Sequence, residues 1–310
     1  MDMKGTSRMA PTIDIIRHAQ SYHNVAGSHF RDPPITDVGV RQCEFLREVY
    51  PYGNKVTHIV SSPLRRTIET TLLAIKPIVK DDVKITLLPE LQEVNATPSS
   101  IGTKKQRLQY LFKGVQALDM SLLINKWYRK GSDSPYAPSV EKVEERAMMA
   151  RRWLRMLARM AVKAGKEDAH IVAVTHGEFA HWLTEDFVGV GFRRNSGWSV
   201  CEFRSYQFTD LDAPDTEDVP LVETQESLKD RGFGPDNALA SSSTPDMKLL
   251  KKIASTTVQQ HARFLEGCEL EIKEELEAQA VALGKEGEDV WVDVDDEDED
   301  DEDDKENQKP

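Results

Sequence analysis

The sequence predicts an α/β fold: a three-layer sandwich in which a mostly parallel central sheet lies between helices. Three observations predict it. From Pro11 to Phe208, short β-branched runs alternate with stretches of helical periodicity. Ile171 to Thr175 is an uninterrupted run closed by His176-Gly177, as expected of a strand buried on both faces. The residues best suited to chemistry stand where the β-like runs end, the edge at which open α/β sheets place their ligands.

Each element has its own signal. Thr12 to Ile16 is a compact β-branched run that ends at Arg17-His18. Thr36 is a good N-cap and Asp37 a favourable first-turn charge for a helix that continues through the apolar Val40, Cys43, Phe45, Leu46 and Val49. Val56 to Val60 reads as the next strand. Ser62-Pro63 reads as an N-cap followed by proline at the first helical position. Lys84 to Leu88 is a third strand. From Ser139, the residues Val143, Ala147, Ala150, Leu154, Leu157 and Ala161 recur every three or four positions, which predicts a long helix. Ser199 to Phe208 is expected to be the last strand.

These elements make one folded domain over residues 1–208. Composition then changes. Residues 209–246 are rich in Asp, Pro, Ser and Thr, with little apolar surface to offset the entropy of ordering, and are expected to be a linker. Residues 247–284 predict a C-terminal helix with Leu250, Ile253, Thr257, His261, Phe264, Cys268, Ile272, Leu276 and Val281 along one face. That face fits either a strut packed back on the domain or a contact helix for a partner, and oligomeric state is not legible. Residues 285–310 are expected to be a disordered acidic tail.

Charge excludes some functions. The last 25 residues hold 15 acidic residues and 2 lysines, which accounts for the whole formal net charge of −13; the rest of the chain balances at 38 of each sign. A folded part of zero net charge offers no bulk attraction to nucleic acid or to an anionic membrane surface. No run reaches the ~18 apolar residues of a membrane span. Three scattered cysteines, Cys43, Cys201 and Cys268, suit neither a disulfide framework nor a zinc cluster, so a reducing compartment, cytoplasm or nucleus, is expected. No cofactor and no metal site is expected, because His18 and His23 lack ligand spacing and carboxylate company.

Four junctions carry chemistry. Arg17-His18-Ala19 follows the first strand, and pairs a forked phosphate donor with an imidazole able to attack phosphorus. Ser61-Ser62-Pro63-Leu64-Arg65-Arg66 leads from a strand into a helix, whose N-terminus and arginines favour anions. Leu91-Gln92-Glu93 sets a carboxylate after a strand-like run, and Thr175-His176-Gly177-Glu178 ends the buried strand. Two histidines, two arginines and a carboxylate at strand ends suit phosphoryl transfer.

In this order, Arg17-His18-Ala19 with Asn24, Ile35-Thr36 with Gly39 and Gln42, Ser61-Ser62-Pro63-Leu64 with Arg66 and Thr70, Leu91 with Glu93, and Thr175-His176-Gly177 resemble the signature of the histidine phosphatase superfamily. That fold is shared by cofactor-dependent phosphoglycerate mutases and many small phosphatases. The resemblance spans Thr12 to Phe208. It is most similar to a phosphoglycerate mutase-like branch of fungi and plants, with His23-Asn24 after the first motif and Asp32-Pro33-Pro34 before the helix.

The resemblance implies roles. His18 would be the nucleophile, with Arg17, Arg66, His176 and Gly177 around the phosphoryl group and Asn24 as a neutral donor. Glu93 would protonate the leaving oxygen and then activate water. His23 is open between a substrate contact and a structural hydrogen bond, and Arg65 is expected to face solvent beside Arg66. The family's helical insertion would lie between Ser99 and about Val140. Its Lys104, Lys105, Arg107, Arg129 and Lys130 either extend the phosphate pocket or form a solvated basic face. Two departures stand out: Ala19 where glycine is usual, and Pro98 to Gly102 without the branch's aspartate. The implied function is a metal-independent phosphomonoesterase acting on a small phosphorylated metabolite through phosphohistidine. The alternatives are a phosphomutase and a non-catalytic binder of phosphorylated ligands.

Overall fold

A computed structural model describes residues 10–124, 126–190, 197–232, 247–260 and 262. The strands are β1 (Thr12–Arg17), β2 (Val56–Ser61), β3 (Ile85–Leu87), β4 (Leu118–Asp119), β5 (His170–Thr175), β6 (Phe203–Phe208) and β7 (Leu221–Glu223). The helices are α1 (Tyr22–Ala26), α2 (Asp37–Val49), α3 (Arg65–Thr70), α4 (Lys105–Leu111), α5 (Val140–Lys163), α6 (Gly177–Thr184) and α7 (Gln225–Asp230). All seven strands form one sheet in the order β4-β3-β2-β5-β1-β6-β7. β1 to β5 are mutually parallel, while β6 runs antiparallel to β1, with Ile13 opposite Tyr206 and Ile16 opposite Phe203.

Strand alternation builds two cores. Ile13, Ile15, Ile171 and Ala173 face one side with Val143, Ala147, Ala150 and Leu154 of α5 and Phe179 of α6. Ile16, Val172 and Val174 face the other, with Cys43 and Leu46 of α2 and Leu64 and Ile68 around α3. β5 is buried at all six positions, which explains its lack of alternation. In α2, Phe45 is 66% exposed, so its apolar residues form two faces and only one is core.

The cap at Thr36 forms as expected, with Thr36 Oγ1 accepting from Gly39 N–H, and the long helix that starts after Ser139 is capped by Ser139 Oγ, which accepts from Lys142 N–H. Ser62-Pro63 does not open α3, whose N-cap is Leu64. Ser62 N–H instead donates to Val174 O, which extends the β2–β5 pairing, and Ser62 Oγ accepts from Leu64 N–H.

The expectation for residues 209–246 needs correction. The sheet gains β7 there, paired antiparallel with β6, followed by α7. Arginines of α5 order the stretch before β7. Arg151 bonds both Asp218 carboxylate oxygens (2.8 and 2.5 Å), Arg155 donates to Pro214 O and Glu217 O, and Arg159 to Leu211 O. Residues 233–246 lie outside the described residues. Ser199 to Phe208 is likewise neither wholly strand nor the last strand: β6 begins at Phe203, after a turn at Cys201 with φ of 56°.

The expected insertion between Ser99 and Val140 is mostly turns, with the short α4 and with β4 added to the sheet edge. Residues 247–260 are helical, with Ala254 and Val258 buried in the α5–α6 core and Lys251 Nζ 2.7 Å from Glu144. This stretch is the strut reading. The rest of the 247–284 helix and the 285–310 tail fall outside the described residues, apart from residue 262. Among the described residues no helix is long and apolar enough to cross a membrane.

Candidate active site

The C-terminal ends of β1, β2 and β5 and the turn after β3 converge, and the hydrogen bonds between them explain the spacing of the motifs. His18 N–H donates to Thr175 O, joining the loops after β1 and β5. Thr175 Oγ1 donates to Leu91 O (2.8 Å), which draws the Leu91-Gln92-Glu93 turn to β5. Ala19 N–H donates to Thr70 Oγ1 at 3.0 Å, tying α3 to the His18 loop. Gly39 is glycine because a Cβ there would lie 2.2 Å from Gln20 O, so α2 could not dock on that loop.

His18 is buried, and its Nδ1 lies 2.7 Å from Ala19 O. A carbonyl oxygen only accepts, so Nδ1 carries the hydrogen and Nε2 keeps its lone pair. Burial, with the Arg66 and Arg17 charges adding to it, holds this imidazole well below the usual histidine range and keeps it neutral. His176 is also neutral, for burial and the Arg66 charge. Its Nδ1 accepts from Arg66 (3.1 Å), and its Nε2–H donates to Ser62 Oγ (2.9 Å). The His18 and His176 rings lie 5.2 Å apart between centroids.

Arg66 is wholly buried, and donates to Ser99 O at 2.6 Å as well as to His176. Burial lowers it to about 10, so it stays cationic near neutrality. Arg17 donates to Trp198 O. The Nε–H of each arginine is buried without a partner among the described residues. Arg65 points elsewhere. It is partly exposed and pairs with Glu69 at 3.3 Å, while its N–H binds Asp32.

Glu93 enters on the turn after β3. Its Oε1 accepts from Val94 N–H (2.9 Å) and from Phe179 N–H (3.1 Å) in the first turn of α6. Its Oε2 has no hydrogen-bond partner among the described residues. Glu178 follows Gly177 at that same helix start, and burial together with the Glu93 charge pushes it up to about 8. His23 is 5.4 Å from His18 between ring centroids and is lowered to about 3, first by burial and then by Arg66. Asn24 is exposed and serves the first turn of α1: its Oδ1 accepts from Ser21 N–H and its Nδ2 lies 3.2 Å from His23 Nε2. It supports His23 here instead of pointing at His18.

Three site residues, Ser62, Glu178 and Arg146, were not assigned a role from the sequence, and Lys130 takes neither of the two roles expected of it. Ser62 partners His176, and Glu178 neighbours Glu93. Lys130 is buried against the Glu93 turn, with Nζ donating to Glu93 O and Asn95 O. Arg146 of α5 donates to Glu90 O, Gln92 O and Glu93 O. A signal for Arg146 existed: it sits three residues after Val143 and four before Ala150, on the apolar face of α5. Lys104, Lys105, Arg107 and Arg129 are at least partly exposed. Among the described residues, no group of three or more His, Cys, Asp or Glu is placed to hold a metal ion.

Two histidines and two arginines at the strand ends, with a carboxylate on the neighbouring turn, are residue types that suit phosphoryl transfer. The family model of the histidine phosphatase superfamily (branch 1) matches residues 13–210, and the chain belongs to that superfamily. None of the curated proteins compared with it matches. Among solved structures it is similar to an ecdysone phosphate phosphatase from Bombix mori in complex with tungstate, at 14% identity and TM-score 0.47, covering 77% of this chain and 99% of that one. It is also similar to a mycobacterial glucosyl-3-phosphoglycerate phosphatase, at 16% identity and TM-score 0.42, covering 69% and 97%. These likenesses are too distant to transfer a substrate or a residue role.

Proposed function

We propose that this protein is a metal-independent phosphomonoesterase that acts on a small phosphorylated metabolite through a phosphohistidine intermediate. The observation that carries this reading is the His18 tautomer: Nδ1–H bonded to Ala19 O leaves Nε2 a neutral nucleophile. Beside it are two arginines whose buried Nε–H groups have no partner among the described residues. Buried donors of this kind are costly unless something accepts from them, and a phosphoryl group of about −1.5 to −2 charge offers the oxygens.

In the first step Nε2 of His18 bonds to phosphorus as the bond to the leaving oxygen breaks. Arg17 and Arg66 meet the charge on the phosphoryl oxygens, His176 orients Arg66 through Nδ1, and His23 lines the approach. Glu93, held through Oε1, donates a proton from Oε2 to the leaving oxygen. In the second step Glu93 takes a proton from water, the water oxygen bonds to phosphorus, and the N–P bond breaks to release phosphate and free His18.

Rapid-quench labelling with a phosphorylated substrate tests this directly. Wild type should yield an acid-labile phosphoenzyme and His18→Ala none; label that persists in His18→Ala would overturn the assignment. A panel of phosphorylated metabolites scored for phosphate release would define the substrate.

A further inference from the structure

Lys130 is the one lysine of the 99–139 insertion that reaches the site. Only 6% of it is exposed, yet it has no carboxylate within ion-pair distance among the described residues. Its Nζ instead donates to two main-chain carbonyls, Glu93 O at 2.5 Å and Asn95 O at 2.8 Å, and so grips the turn on either side of Val94. The segment that carries it is fixed against the same turn. Gln92 Nε2 donates to Trp127 O at 3.1 Å, Trp127 is itself buried, and Ser134 Oγ donates to Arg129 O.

Arg146 holds the preceding part of the turn through Glu90 O, Gln92 O and Glu93 O. Burying two basic side chains with main-chain oxygens as their hydrogen-bond partners is expensive, since each is stripped of water without a bonded carboxylate among the described residues. Such a cost points to a function, and the atoms held are those that set the orientation of the Glu93 side chain.

We propose that Lys130 is a positioning residue for proton transfer, acting through Glu93 by clamping the 93–95 turn so that Oε2 meets the leaving oxygen. This rests on the reading of Glu93 as the proton donor. A clamp on the acid matters in proportion to how much the leaving oxygen needs a proton, whereas a lysine that only supports the fold lowers every substrate alike. Burial, with the Arg146 charge adding to it, holds Lys130 well below the usual lysine range, and the Glu93 charge opposes that shift.

The test compares burst-phase rates on nitrophenyl phosphate and on an alkyl phosphate for wild type, Glu93→Gln, Lys130→Met and the double variant. Lys130→Met should lower the alkyl rate relative to the aryl rate about tenfold or more, in the same sense as Glu93→Gln. In the Glu93→Gln background it should change that ratio little, because the two act as one unit. Lys130→Arg, which keeps charge and donors, should recover part of the ratio. Equal losses on both substrates in Lys130→Met, with a leaving-group-dependent loss in Glu93→Gln, would overturn the role of Lys130 alone. Equal losses in Glu93→Gln would overturn the reading of Glu93 and this proposal with it. If neither Lys130→Met nor Lys130→Arg folds, Lys130 serves the core and the proposal falls.

Discussion

Glu93 Oε1 accepts the main-chain N–H of Phe179 at 3.1 Å, so the carboxylate on the turn after β3 caps the helix that begins beside His176. One hydrogen bond thereby sets the acid against the second histidine of the site, across two elements 86 residues apart. It also divides the labour of the carboxyl group. One oxygen is structural, and the other has no partner among the described residues and can carry the proton.

That division predicts the behaviour of Glu93→Gln. The amide oxygen can still accept from Val94 and Phe179, so the fold and its melting temperature should be kept. An alkyl phosphate should lose about 10²-fold in the first step, while nitrophenyl phosphate stays within roughly tenfold. Loss of equal size on both would move the acid role to Glu178, which stands at the same helix start.

The adjacent arginines should separate sharply. Arg66→Ala removes a buried donor from the phosphoryl side and should lower kcat/KM by the equivalent of about 2 to 4 kcal/mol. Arg65→Ala breaks a partly exposed pair with Glu69 and should change kcat/KM by less than about threefold. Steady-state kinetics on one substrate decides it, and equal losses would place both side chains at the substrate.

Glu178 makes stability depend on pH. Its folded value, about 8, lies above its ordinary 4.5, so between those values the folded chain holds a proton that the unfolded chain has released. Its contribution is complete below about pH 4.5 and is lost as pH rises to about 8. Urea unfolding from about pH 5 to 8 should therefore show wild type losing more stability than Glu178→Gln over that window. The depressed histidines His18, His23 and His176 act in the opposite sense, losing stability as pH falls below 6.5, and are common to both proteins. Parallel curves would mean that Glu178 ionises as an ordinary surface carboxyl.

Arg151 should hold the segment before β7. Arg151→Ala leaves Asp218 and the carbonyls of Trp182 and Leu183 without their donor, at a cost of about 1 to 3 kcal/mol. Limited proteolysis should then cut between residues 209 and 220 faster, before the rest of the domain. Unchanged cleavage there would show that β7 pairing alone orders the segment.

The particular residues show how far the sequence reached. The Thr36 cap, the helix start at Ser139, the buried run of β5 and the helical period of α5 were legible because each depends on residues close in the chain. The motifs of the site were legible in order, since strand ends deliver His18, Ser62, Glu93 and His176 to one edge of a parallel sheet. Residues 209–232 were misread as linker because their order comes from Arg151, Arg155 and Arg159, some sixty residues upstream, and not from an apolar pattern of their own.

By itself the sequence determined the α/β class, the core-facing periodicity and which residue types could carry phosphoryl chemistry, since local propensity and alternation are short-range properties. Only the tertiary structure decided that His18 bears its hydrogen on Nδ1, that Asn24 serves α1 and His23, that Lys130 is buried on the Glu93 turn and that Glu178 holds a proton near neutrality. Burial and the partner of each polar atom are set by residues distant in the chain, and those two quantities fix protonation and orientation.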